Sequence, residues 1–393
     1  MSLMSKHKLV LLGGGFAGTW LATHAVPAYK DLLEVILVSE EPEFTFSPLL
    51  INGLAGDLKP QQFTLNLTKL ASERGFRFIQ GTIDKIDREQ RHVHITQRNG
   101  GTINLPYDSA VLATGAKANF FGIPGLEEAS FVLKELADID RLVVHLAETL
   151  TKASKAWTDE DKKRILSFVI VGGGPTGVEL LGAMRERLRS LAYERGLEQL
   201  LPLIKITLVE SSKTLFMGFP EDLCQKSEAL LRESGIDVRC NTSVKGAKDG
   251  VATFADDSTI RYETLIWAAG VKSVTPPIEP AFPAGPLKTD SFLQLDERLY
   301  GAGDAILHEQ DGVRAPKNAQ SALHMAHAIL ENVVRRAQGK QPVAVGPQLN
   351  ASLITVLHSG FFRLNNRIFS GRWIHPFRKL LYRFRLWQIR TGH

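Results

Sequence analysis

The sequence predicts an α/β protein of two similar parallel-sheet units, the second inserted into the first, followed by a basic amphipathic C-terminal region. Three observations carry that expectation. The pattern G-x-G-x-x-G occurs twice, as Gly13, Gly15 and Gly18 and as Gly172, Gly174 and Gly177, each time between an apolar run and a helical pattern. Further apolar runs end in glycine turns at Thr114-Gly115, Ala269-Gly270 and Gly303-Asp304. Charge is unevenly spread: from Asn332 to His393 there are eleven Lys or Arg and no Asp or Glu, leaving 36 basic against 42 acidic groups elsewhere in a chain of net charge +5.

Strand, glycine turn and helix in that order make the dinucleotide fingerprint of a Rossmann-like unit. One glycine allows the tight turn, the next lets the backbone approach a pyrophosphate, and the third lets helix pack on strand. The pyrophosphate then sits at the helix N-terminus, where unpaired N–H groups and the dipole favour anions. One such match is weak, because glycine-rich turns are common. A second copy about 160 residues away makes the pair specific.

Composition narrows the class. At 393 residues, with 44% hydrophobic and 23% charged residues, the chain is long enough for two or three domains with substantial cores. Its two cysteines, Cys224 and Cys240, form no C-x-x-C pair. That argues against a disulfide framework, a zinc or other metal site and a dithiol redox centre, and for a reducing compartment. The apolar core Leu9 to Leu12 is too short for a secretory signal. No run approaches the roughly 18–20 apolar residues of a membrane span.

In chain order, Lys8 to Leu12 reads as the first strand and Thr19 to Ala28 as its helix. After the second strand, Glu34 to Val38, either Ser39 or Glu40 stands where the fingerprint places an acid for a ribose. Phe46-Ser-Pro-Leu-Leu50 starts an irregular, proline-marked segment, and the β-rich runs from Gly81 to Leu105 read as an antiparallel excursion. Ser109 to Thr114 is a buried strand, Pro124-Gly125 marks a crossover, and Lys134 to Lys163 is helical. Phe168 to Val171 leads into the second fingerprint and a helix to about Gly196. Glu210 directly follows the strand Ile204 to Val209; with only Lys213 and no Arg beside it, this carboxylate favours NADH over the extra phosphate of NADPH. Proline-rich Pro276 to Pro286 leads back to a strand ending at Gly303-Asp304 and a helix from Asn318 to Ala337. The units are therefore 5–125 with 285–345, 126–284 inserted between them, and a tail over 346–393.

These landmarks resemble the flavoproteins with two dinucleotide-binding domains. Phe46-Ser-Pro-Leu-Leu50, Val171 to Glu179, Gly218-Phe-Pro-Glu221, Trp267-Ala-Ala-Gly-Val-Lys272 and Ala319-Gln-Ser-Ala322 together resemble type II NADH dehydrogenases, single-subunit NADH:quinone oxidoreductases. The resemblance runs from about residue 8 to 335. It implies FAD on the first unit, NADH on the second, and hydride passing from NADH to FAD before two electrons reach a membrane quinone.

The FAD site would comprise Gly13, Gly15, Phe16, Ala17 and Gly18, Ser39 or Glu40, Ile83, Ala113, Thr114, Gly115, Gly303, Asp304, Ala319 and Gln320. Asp304 would receive ribityl or phosphate-side hydroxyls; its plainer reading is a helix-capping carboxylate. The NADH site would comprise Gly172, Gly174, Pro175, Thr176, Gly177, Glu179, Glu210 and Gly270. Glu179 would lie near nicotinamide and flavin, although an acid early in a helix is stabilised by the dipole alone. Gln320 would face flavin and quinone. The family's second glutamine, four positions on, is replaced by His324, a protonatable group suited to a reaction that consumes two protons. His327, one turn further, reads as part of a half-buried helical face.

From Pro376, a candidate first helical residue, apolar Phe377, Leu380, Leu381, Phe384 and Trp387 fall at helical spacing, with Arg378, Lys379, Arg383, Arg385 and Arg390 on the flanks and opposite face. Leu386 breaks that pattern, while Phe361, Phe362, Ile368, Phe369 and Trp373 add apolar bulk upstream. A basic amphipathic helix rich in Trp and Phe suits the surface of an anionic bilayer, here the cytoplasmic face of the cell membrane. The competing uses are docking on the body or a homodimer seam. A nucleic-acid role needs no aromatic stripe, and little else supports one. The rival enzyme is a soluble NAD(P)H-dependent flavin reductase of the apoptosis-inducing-factor or ferredoxin-reductase type with a non-quinone acceptor, which has no need of eleven unpaired cations.

Overall fold

A computed structural model describes residues 6–347, 351–364 and 367–393, without the side chain of Ala351; residue 5, the expected start of the first unit, lies outside the described residues. The first sheet runs, from edge to edge, through Leu299–Gly301, Ser109–Leu112, His7–Leu12, Leu33–Ser39, Arg77–Asp87, His92–Gln97 and Thr102–Pro106. The first five are parallel and the last two continue antiparallel. Leu9 to Leu12 and Ile36 to Val38 are wholly buried. Parallel strands covered on both faces need such uninterrupted apolar runs.

The second sheet is parallel throughout, in the order Ser130–Phe131, Thr264–Trp267, Ser167–Val171, Lys205–Val209, Asp237–Arg239. In both sheets the order reverses beside the strand that carries the glycine turn: at His7–Leu12 and Ser109–Leu112 in one, at Ser167–Val171 and Thr264–Trp267 in the other. Ligands of open α/β sheets bind in the crevice outside the carboxyl ends of such strands. The chain leaves and re-enters the first unit side by side, since Ala116–Ala118 pairs antiparallel with Val271–Ser273. It rejoins the first sheet at Ile278–Glu279, alongside Arg77–Asp87 and earlier than residue 285.

Several readings of the sequence need correction. Phe46-Ser-Pro-Leu-Leu50 is not irregular: Ser47–Leu49 is a 3-10 turn that runs into the helix Leu50–Ala55. Pro48 lies in the first turn, where its missing N–H costs nothing. The first helix is Phe16–Tyr29, starting three residues before Thr19 because the glycine loop itself provides its N-cap. Upstream of the tail helix, Phe361, Phe362, Ile368 and Phe369 belong to an antiparallel sheet of Ala351–Val356, Ser359–Leu364 and Arg367–Ser370, with Phe361 buried, while Trp373 is the N-cap of the helix.

The tail helix itself, Ile374–Thr391, has two apolar faces. Ile374, Leu386 and Ile389 are buried against the body, with Tyr382 partly buried between them. Phe377, Leu380, Phe384 and Trp387 point outward, together with Trp373. Leu386 therefore belongs to the docked stripe. Arg378, read as an outward cation, heads the largest fully buried side chains. The eleven cations are not all unpaired: Arg335, Arg336, Arg378 and Lys379 lie within salt-bridge distance of Glu331, Glu297, Glu179 and Asp57. No described helix is long and apolar enough to cross a membrane.

Candidate active site

The two glycine turns have nearly the same geometry. Gly13 (φ 115°) and Gly172 (φ 117°) occupy left-handed backbone, and a β-carbon there would stand 2.4 Å from the Ala113 oxygen or 2.7 Å from the Ala268 oxygen. At Gly18 and Gly177 it would stand 1.9 Å from the carbonyl oxygens of Gly13 and Gly172. The middle glycines differ: beside Gly15 and Gly174 there is no atom within 4 Å. Both cradles are thus closed on the protein side and open where a pyrophosphate approaches. Gly15 and Gly174 cap helices beginning at Phe16 and Pro175 with no side-chain cap bond, leaving first-turn N–H groups for an anion. Thr176 is exposed at that turn and Ala17 is buried. Phe16 is fixed edge-on against Phe44 and Phe46, with centroids 5.2 and 5.1 Å away.

Register places Ser39 where the second unit has Glu210. Leu12 pairs with Val38 and Val171 with Val209, so Ser39 and Glu210 are each the next residue. A β-carbon on Gly14 would meet Ser39 Oγ at 2.7 Å, and one on Gly173 would meet Glu210 Cβ at 2.9 Å. Glu40 is exposed, and its carbonyl accepts a bond from Gln80 Nε2. Ile83 lies within the strand Arg77–Asp87, three residues beyond Gln80, which pairs with Ser39 at the end of Leu33–Ser39. Glu210 accepts from the Gly173 N–H at 2.6 Å, the Ser212 N–H at 2.7 Å and Ser211 Oγ at 3.2 Å. Burial alone would raise its pKa, but the bonds from the Ser212 and Gly173 amides and neighbouring hydroxyls together hold it below the ordinary glutamate value.

On the opposite side of the first crevice, Ala113 donates its N–H to Leu12 O, and Thr114 Oγ1 donates to Val274 O at 2.5 Å, followed by Gly115 at φ 71°. Gly303 (φ 64°) directs its N–H at Met325 Sδ, 3.2 Å away. Asp304 is half-buried. Burial raises its pKa, opposed by Lys134 and Lys317. Burial lowers that of Lys134, which Asp304 counteracts. Lys317 Nζ donates to Ser273 Oγ at 2.8 Å and to the Asp304 carbonyl at 3.1 Å. Neither lysine has a sequence signal; each reaches Asp304 only through the fold.

The helix Ala319–Ala337 starts at Asn318, whose side chain accepts the Ser321 N–H. Ala319 is half-buried and Gln320 exposed at its first turn. His324 Nε2 lies 3.1 Å from the Gly346 carbonyl, a bond the imidazole makes as donor. His327 is exposed rather than half-buried, 5.7 Å from the Trp20 ring.

Glu179, in the helix that follows the second glycine turn, is bound to the tail. Its Oε1 accepts from the Thr355 N–H (2.9 Å) and Oγ1 (3.0 Å), and its Oε2 from Arg378 Nη2 (2.7 Å). The two side chains are 9% and 2% exposed. Arg378 also donates to Pro48 O at 3.1 Å, and its guanidinium lies 4.7 Å from the centre of the Tyr382 ring. A cavity of about 20 Å³ beside them is lined by Asn52, Asp57, Glu179, Thr355, His375 and Arg378, among others. That is room for about one water molecule. Four segments far apart in sequence meet here: the helix of the second fingerprint, the turn at Pro48, the tail sheet and the tail helix.

Two Rossmann-like units in one chain, each with an open pyrophosphate cradle, define a protein for two dinucleotides. Residues 7–326 match the model of the pyridine nucleotide-disulphide oxidoreductase family, and the chain belongs to that family. It is 30% identical over 78% of its length to an external alternative NAD(P)H-ubiquinone oxidoreductase, B3, from Arabidopsis thaliana mitochondria; it spans 55% of that relative, little more than half. It is 28% identical to the type II NADH:quinone oxidoreductase of Haemophilus influenzae, covering 84% of this chain and 81% of that one. The structure of NDH2 from Plasmodium falciparum in complex with NADH superposes with a TM-score of 0.87, covering 99% of this chain and 96% of that one at 19% identity, a likeness of fold. Cys224 is buried and Cys240 half-buried, both free. Burial pushes both thiols up, Cys240 to about 11, which keeps them protonated and poor nucleophiles near neutrality.

Removing Arg378 leaves a buried carboxylate without its cation, so Arg378→Ala is expected to cost about 3–5 kcal/mol of stability, and Glu179→Met/Arg378→Met to restore much of it. Chemical denaturation of the three proteins checks this. Glu210 makes a pH prediction. Its folded pKa is depressed, so its contribution is complete above the unfolded value of about 4.3 and is lost as pH falls through the lower folded value. The melting-temperature gap between wild type and Glu210→Ala is therefore expected to narrow only below about pH 4.3.

Proposed function

We propose that this protein is an FAD-dependent NADH:quinone oxidoreductase that works at a membrane surface. The observation that carries the reading is the pairing of two open dinucleotide cradles with a docked helix whose second apolar face points outward. The activities named for the plant and Haemophilus relatives, NAD(P)H-ubiquinone and NADH:quinone oxidoreduction, support it.

FAD, held on the first cradle, supplies the two-electron redox chemistry. The chain's own residues bind and orient. Gly13 to Gly18 hold the FAD pyrophosphate, Ser39 or Glu40 its adenosine ribose, and Asp304, flanked by Lys134 and Lys317, its ribityl side. Gly172 to Gly177 hold the NADH pyrophosphate. Glu210, fixed by the Gly173 and Ser212 amides, receives the ribose hydroxyls and repels the 2′-phosphate of NADPH. NADH gives up a hydride, and a quinone takes two electrons and two protons to become a quinol. Gln320 and His324 stand on the acceptor side, where His324 moves a proton toward the quinone oxygen. Glu179, tied to the tail helix through Arg378, holds the second cradle in register with the membrane-facing part of the chain.

Trp373, Phe377, Leu380, Phe384 and Trp387 form the outward stripe, and Arg372, Arg383, Arg385 and Arg390 surround it. Interfacial helices of this kind add apolar burial to roughly 1 kcal/mol per cation near anionic lipid. The protein is accordingly peripheral, on the cytoplasmic face of the cell membrane. The outward aromatic residues weigh against a soluble acceptor, and a homodimer that used this stripe as its seam would compete with lipid.

Anaerobic NADH is expected to bleach the bound flavin, and a quinone analogue to restore its absorbance. Restoration by soluble acceptors but not by any quinone sinks the quinone step. Leu380→Asp/Phe384→Asp/Trp387→Asp is expected to lower binding to anionic vesicles at least about tenfold, with its melting temperature and NADH-driven bleaching kept. Undiminished co-sedimentation refutes the anchor.

A further inference from the structure

Among the described residues, nine non-glycine positions have positive φ. Asn241, Asp249, Asp257 and Asp311 are turn formers that tolerate this conformation, and Arg91 joins them in an exposed turn. Four are bulky. Phe216 and Leu293 are 1% and 0% exposed, so core packing offsets their strain, and Leu357 is half-buried in a hairpin turn. Phe121 (φ 53°) is the exception: its side chain is 61% exposed, so no core compensates for an unfavourable backbone. Strain of this kind persists where the surroundings over-determine it, and it concentrates at ligand clamps.

The surroundings do over-determine it. Asn119 Oδ1 accepts the Phe121 N–H at 3.0 Å, the Asn119 N–H donates to Gly270 O at 3.1 Å, and Trp267 Nε1 donates to Asn119 O at 2.9 Å. The Phe121 ring lies edge-on to Trp267, centroids 6.3 Å apart. It also lies so close over Gly270 that a β-carbon on that residue would be 2.9 Å from its Cζ. The turn is thus clamped to the end of the strand Thr264–Trp267 and holds an exposed aromatic ring against a glycine backbone.

The location gives the ring its use. Thr264–Trp267 lies on one side of the fingerprint strand Ser167–Val171, and Lys205–Val209, which leads to Glu210, on the other. A dinucleotide with its pyrophosphate at Gly174 and its adenosine ribose at Glu210 must extend its other half across the switch point, toward Gly270. We infer that Phe121 is a positioning residue for the nicotinamide half of the bound dinucleotide, its ring packing against the nicotinamide riboside. This rests on the proposed use of the second cradle for NADH. The strain at Phe121 then serves to present the ring before the ligand arrives, so that little ordering remains for binding.

An aromatic contact of this size corresponds to a roughly three- to tenfold change in affinity. Calorimetric titration of the FAD-loaded protein with NAD⁺ and with ADP-ribose, which lacks the nicotinamide, tests the assignment. Phe121→Ala is expected to weaken NAD⁺ binding about three- to tenfold, to leave ADP-ribose binding and the melting temperature unchanged, and to raise KM for NADH more than it lowers kcat. Phe121→Tyr is expected to behave as wild type. Equal NAD⁺ affinity in wild type and Phe121→Ala overturns the inference alone, as does an equal loss for both ligands. Failure of the wild type to bind either ligand overturns the NADH reading with it.

Discussion

At Gly18 and Gly177 a β-carbon would stand 1.9 Å from the carbonyl oxygen of the glycine that opens the same turn. That distance is far inside any van der Waals contact, so only glycine lets each helix begin directly against its strand. Everything else in either cradle follows from this approach. The helix N-terminus is brought to the carboxyl edge of the sheet, its first amides are left without side-chain caps, and the space beside Gly15 and Gly174 stays open. The apolar strands around the turns are wholly buried and cannot shift to relieve a larger residue, because close-packed interiors transmit such strain rather than absorb it.

The ion pair of Glu179 and Arg378 is a second, costlier constraint. Taking both charges out of water is unfavourable unless geometry and additional hydrogen bonds compensate; here one carboxylate oxygen meets Thr355 twice and the other meets Arg378. Removing either partner would leave a buried bare charge, so the pair ties the tail helix to the body. Leucine and isoleucine at 374, 386 and 389 would allow the helix to slide; a guanidinium that must reach Glu179 and Pro48 O does not. The tail is thereby joined to the helix that caps the second cradle.

What could be read in the sequence is what short-range sterics dictate. Both glycine turns, the buried strands and Glu210 at its strand end depend on a few neighbouring residues, and they stand in the structure where pattern alone puts them. The equivalence of Ser39 with Glu210 needed strand register. Arg378 looked like one more cation on a basic helix, because its partner lies 199 residues away and no local signal marks it. Lys134 and Lys317 are hidden for the same reason, since each acquires meaning only when Asp304 is folded between them. Leu386 breaks a single helical stripe because the helix carries two. The strands of the tail sheet carry adjacent apolar residues, Leu353-Ile354, Phe361-Phe362 and Ile368-Phe369, instead of the strict alternation that marks a half-buried strand.

Two stripes on one helix also explain why the outward one can stay exposed. Isolated amphipathic helices bury a single face, and a second apolar face would ordinarily turn inward or draw another chain. In the tail the inward face is occupied by Ile374, Arg378, Tyr382, Leu386 and Ile389, so rotating the helix to hide Leu380 or Trp387 would break the buried ion pair and expose Ile389 at the same time. Phe384 and Trp387 instead stack on each other, 5.7 Å apart, and remain outside. The polar contact that looks like an interruption of the hydrophobic pattern is therefore what keeps the hydrophobic surface available. An arginine buried on one side of the helix is the physical condition for aromatic residues displayed on the other.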